Sequence, residues 1–104
     1  MDELAELGRL AEPSMFILAS LADAPKHGYA ITQDVAAMGG PALPPGTLYG
    51  ALARLEQLGL IEALPPEQRR RPYRLTGRGQ EALRERLTRL QNLAQVGLRR
   101  LAAP

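Results

Sequence analysis

The stretch PGTLYGALARLEQLGLI, residues 45–61, decides the fold of this chain. Leucines at positions 48, 52, 55 and 58 are spaced by four, three and three residues, which predicts a helix with one buried face. Pro45 suits the first turn of a helix, and Gly59 suits a left-handed stop after the last turn. We therefore predict a helix from Pro45 to Leu58 whose opposite face, with small and polar residues, is exposed.

The residues before this stretch predict two more helices. The apolar run at residues 15–22 could form a buried strand, but the neighbouring helix formers and the few β-branched residues favour a buried helix after Pro13. A turn around Pro25 separates it from a second helix, which begins near His27 and ends at Gly39. We expect His27 to serve the start of that helix by packing or hydrogen bonding.

The residues after this stretch predict a hairpin and a long helix. Residues 60–64 and 71–75 have strand character and are joined by a basic loop. Thr76 is a suitable N-cap for a last helix over residues 77–101. At the other end of the chain, leucines at positions 4, 7 and 10 predict a short amphipathic helix over residues 2–12.

Together these elements predict a fold that is mostly α with a small β-hairpin. Three short helices followed by a two-stranded wing is the order of a winged helix-turn-helix, and helices this short are stable only when they pack together. We predict a winged helix-turn-helix domain with its N-terminal helix in residues 1–76. A C-terminal dimerisation helix is predicted in residues 77–104.

The composition argues against several other classes of protein. The chain has no cysteine and a single histidine, which leaves thiol catalysis, disulfides and multi-histidine metal sites without residues. We therefore predict no enzyme, no cofactor and no metal. The longest apolar run is far shorter than the roughly 20 residues of a membrane span, and the N-terminus has no basic flank. We expect a cytoplasmic protein with no membrane partner.

Charge is divided unevenly along the chain. Residues 1–40 contain six acidic and two basic side chains, whereas residues 60–104 contain ten arginines and four glutamates. This asymmetry favours a surface in the second half that faces a polyanion, although a solvated helix rich in arginine would give part of the same count.

Four short motifs occur in a fixed order along the chain. They are His27-Gly28-Tyr29-Ala30-Ile31, the run from Pro45 to Glu56, Gly59-Leu60-Ile61, and Tyr73-Arg74-Leu75-Thr76 followed by Gly79. In order and spacing they resemble the PadR family of transcriptional regulators, over about residues 13–83. The short C-terminal helix resembles the compact members of that family.

The resemblance implies a homodimer that usually acts as a repressor, with a winged helix-turn-helix head and a C-terminal helix for dimerisation. Several relatives release DNA when they bind a small hydrophobic or phenolic molecule, so an effector of this kind is a partner to test. This chain has no tryptophan, which argues against an aromatic sandwich as the effector pocket.

The exposed face of the helix at residues 45–58 is the predicted DNA reader. Thr47 and Tyr49 are the first choices for contacts in the major groove, and Gly46 and Gly50 would let the helix backbone approach DNA closely. The arginines of the loop suit phosphate or minor-groove contacts. The predicted DNA-binding residues are Tyr29, Gly46, Thr47, Tyr49, Gly50, Arg54, Arg69, Arg70, Arg71 and Arg74.

Each of these residues also has a purely structural alternative. Tyr49 could pack its ring on the second helix, Tyr29 could anchor that helix, and Arg54 could pair with Glu56 or a neighbour. The run of three arginines at positions 69–71 could be an ordinary solvated loop. Its place in a wing that follows a recognition helix favours the DNA role.

The last helix has a stripe of leucines and small residues, spaced four and three apart, that is typical of a helix seeking a partner helix. The alternative is that it folds back on its own head. We expect the N-terminal helix to lie against the last helix of the other subunit. The predicted dimerisation residues are Leu4, Leu7, Leu10, Leu83, Leu87, Leu90, Leu93, Ala94, Leu98 and Leu101.

The sequence thus predicts a sequence-specific DNA-binding regulator, acting as a repressor. A two-fold dimer would place two recognition helices about 34 to 36 Å apart, so double-stranded DNA with an inverted-repeat operator is the expected partner. The alternative is a winged-helix interaction or adaptor module that does not bind DNA, since a fold does not fix a function.

Overall fold

The computed structural model describes residues 7, 8 and 10–104. Their regular elements, in chain order, are helix α1 (Ala11–Leu21), strand β1 (Lys26–His27), helix α2 (Gly28–Ala37), helix α3 (Pro45–Gln57), strand β2 (Ile61–Ala63), strand β3 (Pro72–Leu75) and helix α4 (Gly77–Ala102). The order is that of a winged helix-turn-helix followed by a long helix. The predicted fold class, mostly α with a small β wing, is confirmed.

Helices α2 and α3 end in the same way, at a glycine in the left-handed conformation. Gly39 has a φ of 81° and Gly59 a φ of 76°, values that residues with a side chain rarely adopt. After each glycine, the next amide donates to a carbonyl five residues back: Gly40 to Val35 and Leu60 to Leu55, at 2.9 and 3.0 Å. This Schellman arrangement fixes the direction in which the chain leaves each helix.

The sheet has three strands rather than the two that the sequence predicts. Strand β3 lies in the centre, antiparallel to β1 on one side and to β2 on the other. The additional strand β1 is only two residues long, and His27 within it pairs with Pro72. Two residues are too few to show the alternation that marks a strand in a sequence, which is why β1 was not predicted.

The core lies where α1, α2 and α3 meet the sheet and the start of α4. Burying one such aliphatic side chain contributes about 1.5 to 3 kcal/mol. The side chains without any exposed surface include Ile17, Leu18, Ile31, Val35, Leu55 and Leu60.

The beginning of α4 belongs to this core. Gly79 packs so closely against the head that a β-carbon on it would overlap the carbonyl oxygen of Leu60 and lie 2.8 Å from Leu75 Cδ1. Four residues later, Leu83 is buried. Thr76 caps the helix as predicted, because its Oγ1 accepts from the Gly79 amide at 3.0 Å. Beyond Leu83 the leucines of the helix are exposed.

The chain before α1 departs from the predicted helix over residues 2–12. Residues 7, 8 and 10 have 3₁₀ rather than α conformation, and Gly8 has a φ of 56°, so the described residues before Ala11 do not form the predicted amphipathic α-helix but a tighter helical turn. Residues 1–6 and 9, with the predicted dimer residue Leu4, lie outside the described part of the chain. Leu7 is buried in the protomer's own core. Within the described residues, no helix is both long and apolar enough to cross a membrane.

Candidate nucleic-acid interface

Helix α3 divides cleanly into a buried and an exposed face. Leu48, Leu52 and Leu55 are at most 4% exposed and hold the helix against the core. On the other face, a β-carbon added at Gly46 or Gly50 would have no atom within 4 Å. Because glycine has no side chain, the helix backbone is open along this side, as the predicted DNA contact requires.

Tyr49 lies at the border between these two faces. Its side chain is 54% exposed, yet its hydroxyl end rests on the start of α2, where a β-carbon on Gly28 would lie 2.8 Å from Tyr49 Oη. The structure therefore combines the two interpretations of Tyr49: the ring tip packs on the second helix while the rest faces solvent. A side chain at position 28 would require the Tyr49 hydroxyl to shift.

Tyr29 and Arg54 are both exposed, and each has a partner on its own helix. Gln33 Nε2 donates to Tyr29 Oη at 3.1 Å, and Arg54 Nη1 donates to Gln57 Oε1 at 2.9 Å. Tyr29 is 65% exposed, so it does not act as a buried anchor of α2. The partner of Arg54 is Gln57, a neighbour on the same helix, which is within the alternatives considered from the sequence. Such exposed contacts are weak enough to exchange for a ligand.

The tip of the wing is a two-residue turn between Glu67 and Arg70. The amide of each residue donates to the carbonyl of the other, at 2.7 and 2.8 Å. Between them, Gln68 and Arg69 have φ values of 49° and 69°, the pattern of a type I′ turn, which normally holds Asn-Gly. Non-glycine residues in this region cost of order 1 to 3 kcal/mol each. This conformation therefore destabilises the wing, and it places the charged side chain of Arg69 at the tip.

The remaining two wing arginines are tied to the body of the wing. Arg71 Nη1 donates to the Leu64 carbonyl at 3.1 Å, and Arg74 forms an ion pair with Glu62 on the neighbouring strand. Because side chains alternate along a strand, Arg74 lies on the opposite face of β3 from Tyr73. The structure thus brings Arg69, Arg70 and Arg71 together at the tip and places Arg74 on the outer side of the sheet.

A cleft of about 330 Å³ separates the wing from the helix-turn-helix. It combines aromatic rings with positive charge, a mixture that suits sugar and phosphate groups. Its lining residues are His27, Gly28, Tyr29, Tyr49, Arg69, Arg70, Arg71 and Tyr73. Three of them, His27, Gly28 and Tyr73, were not among the residues predicted to bind DNA.

Tyr73 in this cleft stays uncharged. Burial raises the pKa of its phenol, and the nearby Glu56 and Tyr49 add to the rise, while Arg71 acts in the opposite direction. The phenol therefore offers a neutral hydroxyl beside the wing arginines. Its position in the alternation of β3, on the same face as the buried Leu75, was the signal in the sequence that could have placed it there.

Lys26 pairs with Tyr73 in the sheet, but its side chain contacts the turn between α1 and α2. Its Nζ donates to the Ser20 carbonyl at the end of α1 and to Asp23 Oδ1 at 2.5 Å, with Asp34 3.9 Å away. The hydrogen bond from Lys26 and its charge lower the pKa of the Asp23 carboxyl. Lys26 thus closes the turn between α1 and α2.

The predicted dimer residues fall into two groups. Leu7 and Leu83 are buried in the protomer, and Leu10 packs against its core. The leucines further along α4 are exposed, and exposure rises toward the C-terminus: Leu87 46%, Leu90 45%, Leu93 67%, Leu98 69% and Leu101 85%. Ala94 is exposed as well. Leu87 and Leu90 also line a largely apolar groove of about 750 Å³ between α4 and α1.

The fold and the cleft together define a winged helix-turn-helix protein, and comparison with known proteins gives its family. Residues 17–85 match the family model of the transcriptional regulator PadR-like family. The chain belongs to this family, which is one of transcriptional regulators rather than enzymes.

Individual relatives agree with this assignment. The chain is 40% identical over 87 residues to the transcriptional regulator Rv3488 of Mycobacterium tuberculosis, a match that covers 78% of each protein. It is 47% identical over 75 residues to an uncharacterized 37.1 kDa protein in transposon TN4556 of Streptomyces fradiae, covering 72% of this chain but only 22% of that protein. The crystal structure of a PadR family transcriptional regulator from Eggerthella lenta superposes with a TM-score of 0.74 at 30% identity, covering 96% of this chain and 89% of that one.

Proposed function

We propose that this chain is a sequence-specific DNA-binding repressor that recognises an inverted-repeat operator as a homodimer. The observation that carries the proposal is the open face of α3 beside the arginine tip of the wing. Gly46 and Gly50 leave the helix backbone accessible, and Arg69 and Arg70 lie across the cleft from Tyr49. A major groove about 12 Å wide admits a helix of this kind.

Each part of this surface has a separate role in the proposal. Thr47, which is partly exposed in the first turn of α3, and Tyr49 meet base edges. The free amides at the start of α3 favour a phosphate. The tip arginines bind phosphates or the minor groove, and contribute affinity without reading sequence.

The dimer in this proposal forms through α4. Five exposed leucines on one helix form an apolar surface that a lone protomer would leave in water. The surface is continuous with the groove against α1, because Leu87 and Leu90 belong to both. We propose that the distal part of α4 from a second copy occupies this groove. The small Ala94 and the open position at Gly97 allow the helices to approach closely.

Selection of bound fragments from random or genomic duplex DNA, followed by footprinting, tests the proposed sequence-specific DNA binding. The proposal expects a two-fold symmetric footprint whose half-sites lie one helical turn apart. The log of the affinity should fall with log salt by about 0.9 for each phosphate neutralised.

In the same assay, two variants distinguish residues that recognise the base sequence from residues that contribute only positive charge. Arg70→Ala/Arg71→Ala should weaken binding to every sequence, whereas Thr47→Ala should change the preferred sequence. The control Arg99→Ala/Arg100→Ala removes equal charge at the far end of α4 and should weaken binding less. Absence of duplex binding at low salt would instead favour an adaptor role, and an asymmetric footprint would contradict the dimer.

A further inference from the structure

One side chain of the helix-turn-helix contacts the tip of the wing. Arg70 Nη1 lies 3.1 Å from Nε2 of His27, although the two residues are 43 positions apart in the sequence. His27 is partly buried, and the backbone pairing of His27 with Pro72 holds its ring beneath the wing. The sheet therefore fixes the backbone of His27, and Arg70 reaches the ring from the turn at the wing tip.

The same ring also faces the first turn of α2. The Ala30 amide points at His27 Nδ1 over 3.4 Å, which makes His27 the N-cap of α2. An arginine can only donate hydrogen bonds, and a neutral imidazole accepts through one nitrogen alone. The two contacts therefore compete for a single acceptor. The contact with Arg70 is the shorter of the two, and 3.4 Å is long for a hydrogen bond.

We propose that His27 is a positioning residue for Arg70. In this proposal the neutral ring has its proton on Nδ1, so the hydrogen bond from the Ala30 amide is given up, and Nε2 accepts from Arg70 and holds the guanidinium at the mouth of the cleft. A guanidinium has five N–H donors, so four remain for a phosphate. The inference rests on the proposed DNA binding and adds to it the residue that prepares the wing for its ligand.

The physical benefit lies in entropy. An exposed arginine loses rotamer freedom when it is fixed on a ligand, and a side chain that is already held loses less. The partner that holds it must leave the positive charge available. A carboxylate would neutralise the charge, whereas a neutral imidazole orients the guanidinium and leaves its charge intact.

The single histidine of the chain allows a test that needs no DNA. A long-range ¹H–¹⁵N spectrum recorded at about pH 8 reports which ring nitrogen is protonated. We expect the proton on Nδ1 in the wild type and a shift toward Nε2 in Arg70→Ala, where Nδ1 becomes free to cap Ala30. Arg100→Ala should leave the spectrum unchanged. A wild-type ring already protonated at Nε2 would overturn the proposal.

The second test measures affinity for the selected duplex. His27→Asn keeps a good N-cap, since asparagine is among the best, but is too short to hold Arg70. Its thermal stability should stay at the wild-type level or rise. Its affinity should fall about three- to tenfold, the range that the net contribution of one hydrogen bond gives.

A double-mutant cycle then separates positioning from any other role of His27. In the Arg70→Ala background, His27→Asn should have no further effect on affinity. An equal loss in both backgrounds, no loss at all, or tighter binding by His27→Asn would overturn the proposal. If no duplex is bound by the wild type, the proposed function fails, and the spectrum alone still decides whether His27 holds Arg70.

Discussion

Helix α3 and the distal part of α4 have the same kind of leucine stripe and opposite surroundings. Leu52 and Leu55 of α3 are 1% and 0% exposed, whereas Leu98 and Leu101 of α4 are 69% and 85% exposed. The open side of α3 is polar or lacks side chains, so it can meet a hydrated, charged ligand at little cost. The open side of α4 is apolar, and in the proposed dimer a second copy covers it. Under the proposal the two helices therefore face different kinds of partner.

The largest expected effect comes from removing the apolar character of α4. Leu98→Glu/Leu101→Glu should weaken the dimer by about 4 kcal/mol or more, because burying one leucine contributes about 1.5 to 3 kcal/mol and the interface is two-fold. Both side chains are already exposed in the protomer, so its fold should survive. Sedimentation over a range of concentrations measures the change.

A matched variant makes the same change of charge away from the stripe. At 100° per residue, Asn92 lies opposite Leu101, and Gln95 also lies off the stripe. Asn92→Glu/Gln95→Glu should therefore dimerise almost as the wild type does. Equal association of both double variants would show that α4 is not the interface.

The next largest effect concerns the point where α4 joins the head. Gly79→Ala should destabilise the protein by about 3 kcal/mol, since the added methyl group would overlap backbone that cannot move easily. Gly77→Ala, two residues earlier, meets no atom within 4 Å and should be neutral. Urea denaturation of the pair measures the difference. Similar midpoints for the two variants would mean that α4 is not packed on the head as described.

A smaller effect separates stability from binding on α3. Gly50→Ala should stabilise the helix by about 1 kcal/mol, because alanine has the higher helix propensity and the site is open. The same methyl group should reduce affinity for duplex DNA by about tenfold if the loss is that of one good backbone contact. Thermal denaturation and fluorescence anisotropy measure the two quantities. Stability and affinity that rise together would place DNA elsewhere.

The last comparison is between two hydroxyl groups, and its Ser14→Ala member should give the smallest effect of all. Thr76 Oγ1 accepts from the Gly79 amide and donates to the Gly59 carbonyl at 2.7 Å, so Thr76→Ala should cost about 1 to 2 kcal/mol. Ser14 Oγ is buried, and within the described residues it has no hydrogen-bond partner. Ser14→Ala should leave the stability unchanged or raise it by up to about 1 kcal/mol. A loss for Ser14→Ala comparable to that for Thr76→Ala would indicate a partner for the serine.

The helices of the head were predictable because their signals are local. The leucine spacing of α3, the glycines that end α2 and α3, and the cap at Thr76 each depend on a few neighbouring residues, and the structure agrees to within one or two positions. Once the leucine spacing had identified the buried face of α3, the opposite face could be predicted to be exposed. These features need no knowledge of distant parts of the chain.

Other features depend on contacts between distant residues. Strand β1 forms only because β3 lies beside it. The contact of His27 with Arg70 joins residues that are 43 positions apart in the sequence. The leucine stripe of α4 is continuous in the sequence, yet the last of its leucines that is buried against the head is Leu83. The predicted boundary between the DNA-binding domain and the dimerisation helix, at residues 76 and 77, coincides with the start of α4. The buried part of α4 extends further, to Leu83.

Photo-cross-linking to the selected duplex tests the central claim most directly. A benzophenone side chain introduced in place of Tyr49, at the border of the open α3 face, should form a covalent adduct with DNA. The same group in place of Leu93, on the apolar side of α4, should instead link two protein chains. DNA adducts from position 93 and none from position 49 would contradict the account.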